Sequence, residues 1–197
     1  MKELFRLTVV LTIICSLAAT ALALVYTITK DPIAYQQRLK KLKAIKAVQP
    51  DYDNEPDQDF IDLKTDEKAE GDGGLTRFYI TRKGDTPTGV VFMTSAVGYG
   101  GLIDLMVGLT PGGTITGVQV LRHTETPGLG AKITQETFLE QFAERNLQNT
   151  NWALKKEGGD IDQISGATIS PQAVVKALNQ GLTFFQLGIK KIVDVHG

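Results

Sequence analysis

A short run of small and hydroxyl residues, placed just before a predicted helix, is the part of the sequence best suited to anion chemistry. The run consists of Ser165, Gly166, Ala167 and Thr168. We predict that Ser170 is the N-cap of the helix and Pro171 its first residue, because proline has the φ of a helix and its missing N–H would be unpaired there. Apolar residues at steps of three and four then predict a helix over residues 171–187.

The start of this helix offers the groups that a phosphate needs. Helix N-termini have unpaired N–H groups and the positive end of the helix dipole, so a phosphate on or beside Thr168 would meet donors already directed at it. Glycine, serine and threonine before a helix are also ordinary capping and turn residues. The residues alone therefore leave two interpretations open, an anion site and a structural cap.

The N-terminal segment predicts a membrane anchor. Residues 7–29 form an unbroken uncharged run rich in Leu, Val, Ile and Ala, about the length of helix that crosses a hydrocarbon core of about 30 Å. A cleaved signal peptide is the alternative, with a small-residue site at 21–23, but the apolar run continues beyond that point. The only cysteine, Cys15, lies in this run, which excludes an internal disulfide and a cysteine-based metal or iron–sulfur site.

The segment between this anchor and the predicted domain is highly charged. Residues 33–48 predict a basic amphipathic helix, which contacts anionic headgroups or a partner in one interpretation and is a solvated connection in the other. Acidic residues dominate residues 51–72, which predicts a mobile surface segment or an irregular entry to the domain.

The charges on the two sides of the anchor bear on its orientation in the membrane. The basic residues after the anchor favour a cytoplasmic domain by the positive-inside count. The short basic N-terminal tail is instead typical of a signal anchor, and we predict an extracytoplasmic domain.

Strand patterns dominate the rest of the chain. Residues 76–81, 89–97, 102–109 and 114–121 are rich in β-branched and aromatic residues. Hairpin turns are predicted at 83–85 and 110–113, the second with type II geometry. A short helix is predicted at 134–145, with Phe138, Leu139 and Phe142 inward. Strands followed by helices indicate an α+β domain, an antiparallel sheet with packed helices behind a single membrane helix. We divide the chain into an anchor (1–30), a connection (31–75) and the domain (76–197).

Two glycine-rich loops are further candidates for ligand contact. The first surrounds Tyr99, which either stacks on a ligand ring or is buried at a strand end. The second is a possible platform for a flat ring, because its glycines and proline shape the backbone closely, or else a plain connection between strand and helix. Its residues are Glu125, Thr126, Pro127, Gly128, Leu129 and Gly130. Neither loop has a dinucleotide or P-loop pattern.

The run from Asp162 to Thr168, Asp-Gln-Ile-Ser-Gly-Ala-Thr, resembles the flavinylation motif of the FMN-binding domain family, which includes subunits of Rnf-type and Nqr-type electron-transport complexes. Residues 125–130 resemble the second signature of that family, and the resemblance covers about residues 85–187. It implies FMN joined covalently to Thr168 through a phosphoester, with Ser170 at the helix end that holds the phosphate. Thr126 and backbone N–H groups would position the flavin, and Gly128 and Gly130 would allow its close approach.

The resemblance also implies a function, an electron-carrier subunit that relays electrons through FMN to other subunits in the bilayer. It implies an external flavin transferase that uses FAD and magnesium outside the cytoplasm. The chain length fits the G subunits of Rnf-type complexes better than the longer C subunits of Nqr-type sodium pumps, which are the second candidate. The sequence has no pattern for catalytic or metal-binding residues, and its 21 basic and 22 acidic residues do not indicate a nucleic-acid partner. A membrane-tethered scaffold domain without covalent flavin is the alternative from another class.

Overall fold

A computed structural model of the chain describes residues 1–64 and 75–196, with side chains at residues 1–63 and 76–188. The chain forms two compact units, Met1–Lys41 and Leu42–Gly197. Helix α1 spans Lys2–Val48 without a break and contains Pro32, whose ring removes one helical hydrogen bond. Its N-terminal part is long and apolar enough to cross a membrane. Five threonine hydroxyls there donate to carbonyls one turn back, which pairs them internally: Thr8, Thr12, Thr20, Thr27 and Thr29.

The second unit is built on a five-stranded antiparallel sheet whose strands lie in chain order. The strands are β1 (Phe60–Lys64), β2 (Leu75–Lys83), β3 (Thr86–Val97), β4 (Leu102–Leu109) and β5 (Ile115–Arg122). The four strands predicted from the sequence are confirmed, as is the α+β class. Strand β1 was missed, because its alternating pattern lies inside the acidic segment.

Residues 51–59 form the irregular entry that was one of the two predictions for the acidic segment, and their contacts are specific. Asp51 pairs with Lys83 at 2.8 Å, Asp59 pairs with Arg82 at 2.8 Å, and Asp53 accepts the N–H of Gly84 at 3.0 Å. The acidic side chains therefore hold this segment to the β2–β3 hairpin. Residues 65–72 of the predicted mobile segment lie outside the described residues.

The turn between β4 and β5 corrects a detail of the prediction. A type II turn at 110–113 would need a positive φ at Gly112, whereas the positive φ, 81°, is at Gly113. The N–H of Gly113 donates to the carbonyl of Thr110 at 2.9 Å. A type I turn followed by a left-handed residue, common in longer hairpin loops, fits both observations.

One face of the sheet carries the main core, under helix α3 (Ile169–His196) and several short helical segments. The single helix predicted at 134–145 is wrong. The chain forms a 3₁₀ turn at Gly130–Thr134, helix α2 at Glu136–Leu139 and a 3₁₀ turn at Glu140–Phe142. Extended backbone at Gln135 and Ala143 limits these segments. Phe138 and Phe142 are nevertheless buried, as predicted.

The other face of the sheet holds the end of α1. Ala44, Ile45 and Val48 are buried there against Tyr79, Val91 and Met106. Gly108 and Gly117 are paired across β4 and β5 beneath Val48, whose carbonyl accepts the Thr116 hydroxyl at 2.7 Å. A Cβ at Gly108 would lie 2.5 Å from that carbonyl oxygen. The helix predicted over residues 33–48 is confirmed, but the apolar side of its last two turns packs on the sheet and is not solvated. Contact of its basic side with headgroups or a partner stays a prediction.

Candidate functional site

The carboxylate of Glu125 joins three separate segments of the domain. Glu125 is only 4% exposed. Its Oε1 accepts the N–H of Gly100 at 2.9 Å, and its Oε2 accepts the N–H of Tyr99 at 3.3 Å. The buried hydroxyl of Ser170 also donates to Oε2. A single side chain therefore ties the turn after β3 and the start of α3 to the loop after β5.

The glycines around this carboxylate make room for it. A Cβ at Gly98 would collide with Oε1 of Glu125. A Cβ at Gly130 would lie 2.5 Å from the Ser170 hydroxyl and 2.7 Å from Oε2 of Glu125. The sequence suggested that Gly130 allows a ligand to approach, but the structure places protein atoms against it. Glu125, likewise, directs its carboxylate at the protein.

The loop at 126–130 closes on its own backbone and exposes its outer side. The carbonyl of Thr126 accepts the N–H groups of Leu129 and Ala131, both at 3.2 Å. Gly128 has a φ of 76°, and a Cβ there would meet no atom within 4 Å. Thr126, Pro127, Gly128 and Leu129 are all exposed. This side of the loop is open to a ligand.

The two motifs singled out in the sequence lie side by side. Residues 164–167 form a turn in which the N–H of Ala167 donates to the carbonyl of Ile164 at 3.1 Å. Gly166 is the third residue of that turn, with a φ of 79° that glycine adopts without strain. A Cβ at Gly166 would lie 3.2 Å from Cδ2 of Leu129. The fold therefore brings the flavinylation-like turn against the second glycine-rich loop.

The start of α3 differs from the prediction. The helix begins at Ile169, and the N–H of Gln172 donates to the carbonyl of Thr168 at 3.1 Å, so Thr168 occupies the N-cap position. The prediction of Ser170 as N-cap and Pro171 as first residue is wrong by two positions. Pro171 is still tolerated, because it is the third helical residue and the N–H groups of the first turn have no helical acceptor. The N-terminal groups of α3 are therefore centred on Thr168 itself.

A 3₁₀ turn at Lys155–Glu157 lies against the flavinylation-like motif at 162–168. Nζ of Lys156 donates to Oγ1 of Thr168 at 2.8 Å. Lys155 pairs with the exposed Asp162 at 2.8 Å, and the Gln172 amide donates to Glu157. The sequence did not single out Lys156, because a lysine twelve residues before Thr168 belongs to no local pattern. Its position depends on how the 154–161 segment folds back.

Tyr99 and two residues outside the predicted motifs have simpler surroundings. The side chain of Tyr99 is 72% exposed, so the interpretation as a buried aromatic at a strand end is wrong. Nδ1 of His123 accepts the N–H of Glu125 at 3.2 Å, which is a structural hydrogen bond. Trp152 packs against the core and stacks on Phe142, with ring centroids 6.4 Å apart.

The donor groups at this site fit a flavin phosphate. Thr168 supplies a partly exposed hydroxyl at the positive end of a 28-residue helix, and Lys156 supplies a cation. Leu129 lies against the 164–167 turn, Ile169 is the first residue of α3, and both side chains are exposed. Exposed apolar side chains of this kind suit contact with a flat aromatic ring. Phosphate and ring would therefore meet suitable chemistry.

Known families match both ends of the chain. The FMN-binding domain matches residues 98–183, which contain both loops, and the RnfG N-terminal region matches residues 1–48, which are α1. A Cereibacter sphaeroides protein, named as the G subunit of an ion-translocating oxidoreductase complex, is 39% identical over 175 residues, 85% of this chain and 78% of the relative. The Methanosarcina acetivorans protein of the same name is 37% identical over 187 residues, 93% of this chain and 95% of the relative.

A solved structure supports the fold independently. The C subunit of the Na(+)-translocating NADH-quinone reductase from Parabacteroides distasonis superimposes with a TM-score of 0.56 at 17% identity, over 79% of this chain and 95% of that one. This likeness shows a shared fold, whereas the sequence relatives carry the name of a G subunit. The chain belongs to the family of G subunits of ion-translocating oxidoreductase complexes, and it has an FMN-binding domain.

Proposed function

We propose that this chain carries electrons within a membrane-bound, ion-translocating oxidoreductase complex, through FMN bound covalently to Thr168 by a phosphoester. The observation that carries the proposal is the placement of the Thr168 hydroxyl at the N-cap of α3, 2.8 Å from the ammonium of Lys156. Electron transport through FMN is supported by the FMN-binding domain and by the names of the relatives. The resemblance of residues 162–168 to a flavinylation motif supports the covalent link.

The attachment step is a phosphoryl transfer from FAD. The Thr168 hydroxyl oxygen bonds to the flavin-side phosphorus, the bond between that phosphorus and the bridging oxygen breaks, and AMP leaves with that oxygen. The hydroxyl proton passes to a base of the transferase, and no electrons are exchanged. Because Lys156 donates to the Thr168 oxygen and does not accept its proton, the hydroxyl lacks activation by this contact. An external flavin transferase is therefore the expected partner in maturation.

The two loops then have separate tasks in holding the flavin. We infer that the exposed side of the 126–130 loop, with Leu129 foremost, borders the ring, and that exposed Tyr99 lies at its edge. Ser165, Gly166 and Ala167 shape the turn that presents Thr168. When bound, FMN supplies one- and two-electron redox chemistry. The covalent link keeps it from diffusing away during turnover.

The membrane arrangement is part of the same proposal. Helix α1 anchors the chain in the plasma membrane, and the flavin domain lies on the extracytoplasmic side, where the transferase acts. Other membrane subunits of the complex are the electron-transfer partners. The extracytoplasmic side is the periplasmic side of an inner membrane, so protease added to sealed spheroplasts should digest the domain. Protection of the domain until the membrane is permeabilised would contradict this orientation.

A matched pair of threonine variants tests the covalent site. The full chain is co-expressed with a flavin transferase and examined by intact-protein mass spectrometry and in-gel flavin fluorescence. We expect the wild type and the control Thr183→Val, on the exposed side of α3, to carry one FMN. Thr168→Val should carry none while keeping its near-UV circular dichroism.

Two results would overturn this assignment. An unmodified wild type would favour a scaffold domain without covalent flavin, and a flavinylated Thr168→Val would move the link to another residue. Loss of folding in Thr168→Val, while the wild type stays unmodified, would favour the purely structural role of Thr168 as a cap.

A further inference from the structure

Lys156 has an unusual electrostatic position for a surface lysine. Its neighbour Lys155 pairs with a carboxylate of Asp162, whereas the ammonium of Lys156 binds the neutral hydroxyl of Thr168. That hydroxyl also lies at the N-cap of α3, the positive end of a long helix. The Lys156 ammonium and the positive end of α3 therefore both lie at the Thr168 hydroxyl oxygen. The negative charge of a phosphate esterified to that oxygen would balance these two positive charges.

The segment that carries Lys156 is held in place from inside the domain. Leu154 and Ile161 are fully buried and bridge each other as parallel strands do. The N–H of Lys155 donates to the carbonyl of Ile161 at 2.8 Å. Gly159 packs so closely on the carbonyl of Ala153 that a Cβ there would collide with it. Core packing therefore fixes the backbone position of the turn that carries Lys156.

A second contact fixes the turn to the helix that begins at the site. The side chain of Glu157 accepts from the amide of Gln172, in the first turn of α3. Lys155 and Glu157, on either side of Lys156, therefore hold the turn to Asp162, at the start of the flavinylation-like motif, and to Gln172, in the first turn of α3. A lysine whose backbone is fixed in this way keeps its ammonium within reach of the Thr168 oxygen.

We propose that Lys156 is the positioning residue of the flavin attachment site. This inference rests on the proposed function. The ammonium of Lys156 orients the Thr168 oxygen and binds an oxygen of the phosphate as it is transferred and after it is esterified. Charge-assisted hydrogen bonds to phosphate are among the stronger polar contacts in proteins, and a cation that meets charge developing in the transition state accelerates the chemical step.

The test measures the rate of flavin attachment to full-length chain in detergent, with purified flavin transferase, FAD and Mg²⁺. Intact-protein mass gives the modified fraction over time. We expect Lys156→Gln to lower kcat about tenfold, which corresponds to about 1.4 kcal/mol, with a KM for the protein within about twofold of the wild type. Lys156→Arg should recover most of the rate because it keeps the charge. The control Lys176→Gln, on the exposed side of α3, removes the same charge and should remain within about twofold of the wild type.

Several outcomes would overturn the role of Lys156 while leaving Thr168 as the attachment site. These are an unchanged rate in Lys156→Gln, an effect confined to KM, which would indicate a docking charge for the transferase, or no recovery with Lys156→Arg. Unfolding of Lys156→Gln, seen as a change in Trp152 fluorescence, would show a structural role instead. If the wild type itself takes up no flavin at Thr168, the proposed function fails and not this inference alone.

Discussion

The buried carboxylate of Glu125 should be the most sensitive point of the site, and Glu125→Gln is the change that probes it. The two side chains have nearly the same shape, so the substitution changes hydrogen bonding and charge with little effect on packing. The wild-type carboxylate accepts from two N–H groups and one hydroxyl, those of Gly100, Tyr99 and Ser170. An amide presents only one oxygen to these three donors.

The expected cost follows from that count. If the amide oxygen takes the Oε2 position, its NH₂ faces the N–H of Gly100, and a buried donor loses its acceptor, at a cost of about 1–3 kcal/mol. If the oxygen takes the Oε1 position, the N–H of Tyr99 and the hydroxyl of Ser170 lose theirs. The bonds that remain also lose their charge assistance, about 1 kcal/mol. We expect the free energy of unfolding to fall by about 2–4 kcal/mol.

The assay is equilibrium unfolding of the full chain in detergent, followed by the fluorescence of Trp152. This residue is the only tryptophan and packs against the core of the sheet domain, so its emission reports unfolding of that domain. The denaturant midpoint should shift at a constant m-value.

Two control variants separate the role of Glu125 from a general effect of removing charge. Ser170→Ala leaves both N–H bonds to the carboxylate and should cost about 1 kcal/mol, and the exposed Glu136→Gln should stay within about 0.5 kcal/mol of the wild type. A Glu125→Gln variant that is no more destabilised than Glu136→Gln would contradict the role assigned to the carboxylate. In that case the carboxylate would not be the link between the three segments.

Two further predictions concern the sheet. Gly108→Ala puts a Cβ 2.5 Å from the carbonyl oxygen of Val48, so the end of α1 must move and the free energy of unfolding should fall by about 1–3 kcal/mol. The control in the same unfolding assay is Gly112→Ala, whose Cβ has its nearest neighbour at 3.8 Å. Equal effects of the two variants would contradict the close packing of Val48 on Gly108. The hydrogen bond from the Arg77 guanidinium lowers the pKa of Asp62 in the folded protein. The pair therefore stabilises the fold at pH values above the pKa of Asp62 in the unfolded chain, about 3.9, and this stabilisation is lost as the pH falls through the lower pKa of the folded state. Because both side chains are exposed, Asp62→Asn should cost at most about 1 kcal/mol at pH 7, and a wild-type advantage that persists unchanged at pH 2 would contradict it.

The sequence predicted those parts of the fold that depend on local patterns. Alternation of apolar and polar residues was sufficient for β2 to β5, since side chains of a half-buried strand repeat every two residues. Strand β1 has the same alternation, but its pairing depends on contacts such as Asp62 opposite Arg77 and Phe60 beneath the Arg77 guanidinium, 3.9 Å from the ring centroid. The acidic composition of the segment indicated a surface loop. Residues 60–64 nevertheless form a strand, because they pair with β2, for example Asp62 with Arg77 fifteen residues later.

The helix start at Thr168 shows a second limit. Local rules placed the N-cap at Ser170, because serine before proline is a common helix start. The structure instead uses the Ser170 hydroxyl on the carboxylate of Glu125, 45 residues away in the chain, and moves the N-cap to Thr168. A distant acceptor thus takes the hydroxyl that local capping would have used. Thr168, the last residue of the flavinylation-like motif, therefore also occupies the N-cap position.

The glycines of the two loops show the same limit across the whole site. Gly128 and Gly130 were predicted to admit a ligand, and Gly128 does have the left-handed backbone of an open turn. Gly98 and Gly130, however, admit the carboxylate of Glu125. A buried carboxylate needs hydrogen-bond donors at its oxygens, and a glycine beside it leaves the carboxylate room to reach them. A glycine that makes room for a ligand therefore cannot be told from a glycine that makes room for a buried side chain by the sequence pattern. In this domain the position of the Glu125 carboxylate in the structure tells the two kinds of glycine apart.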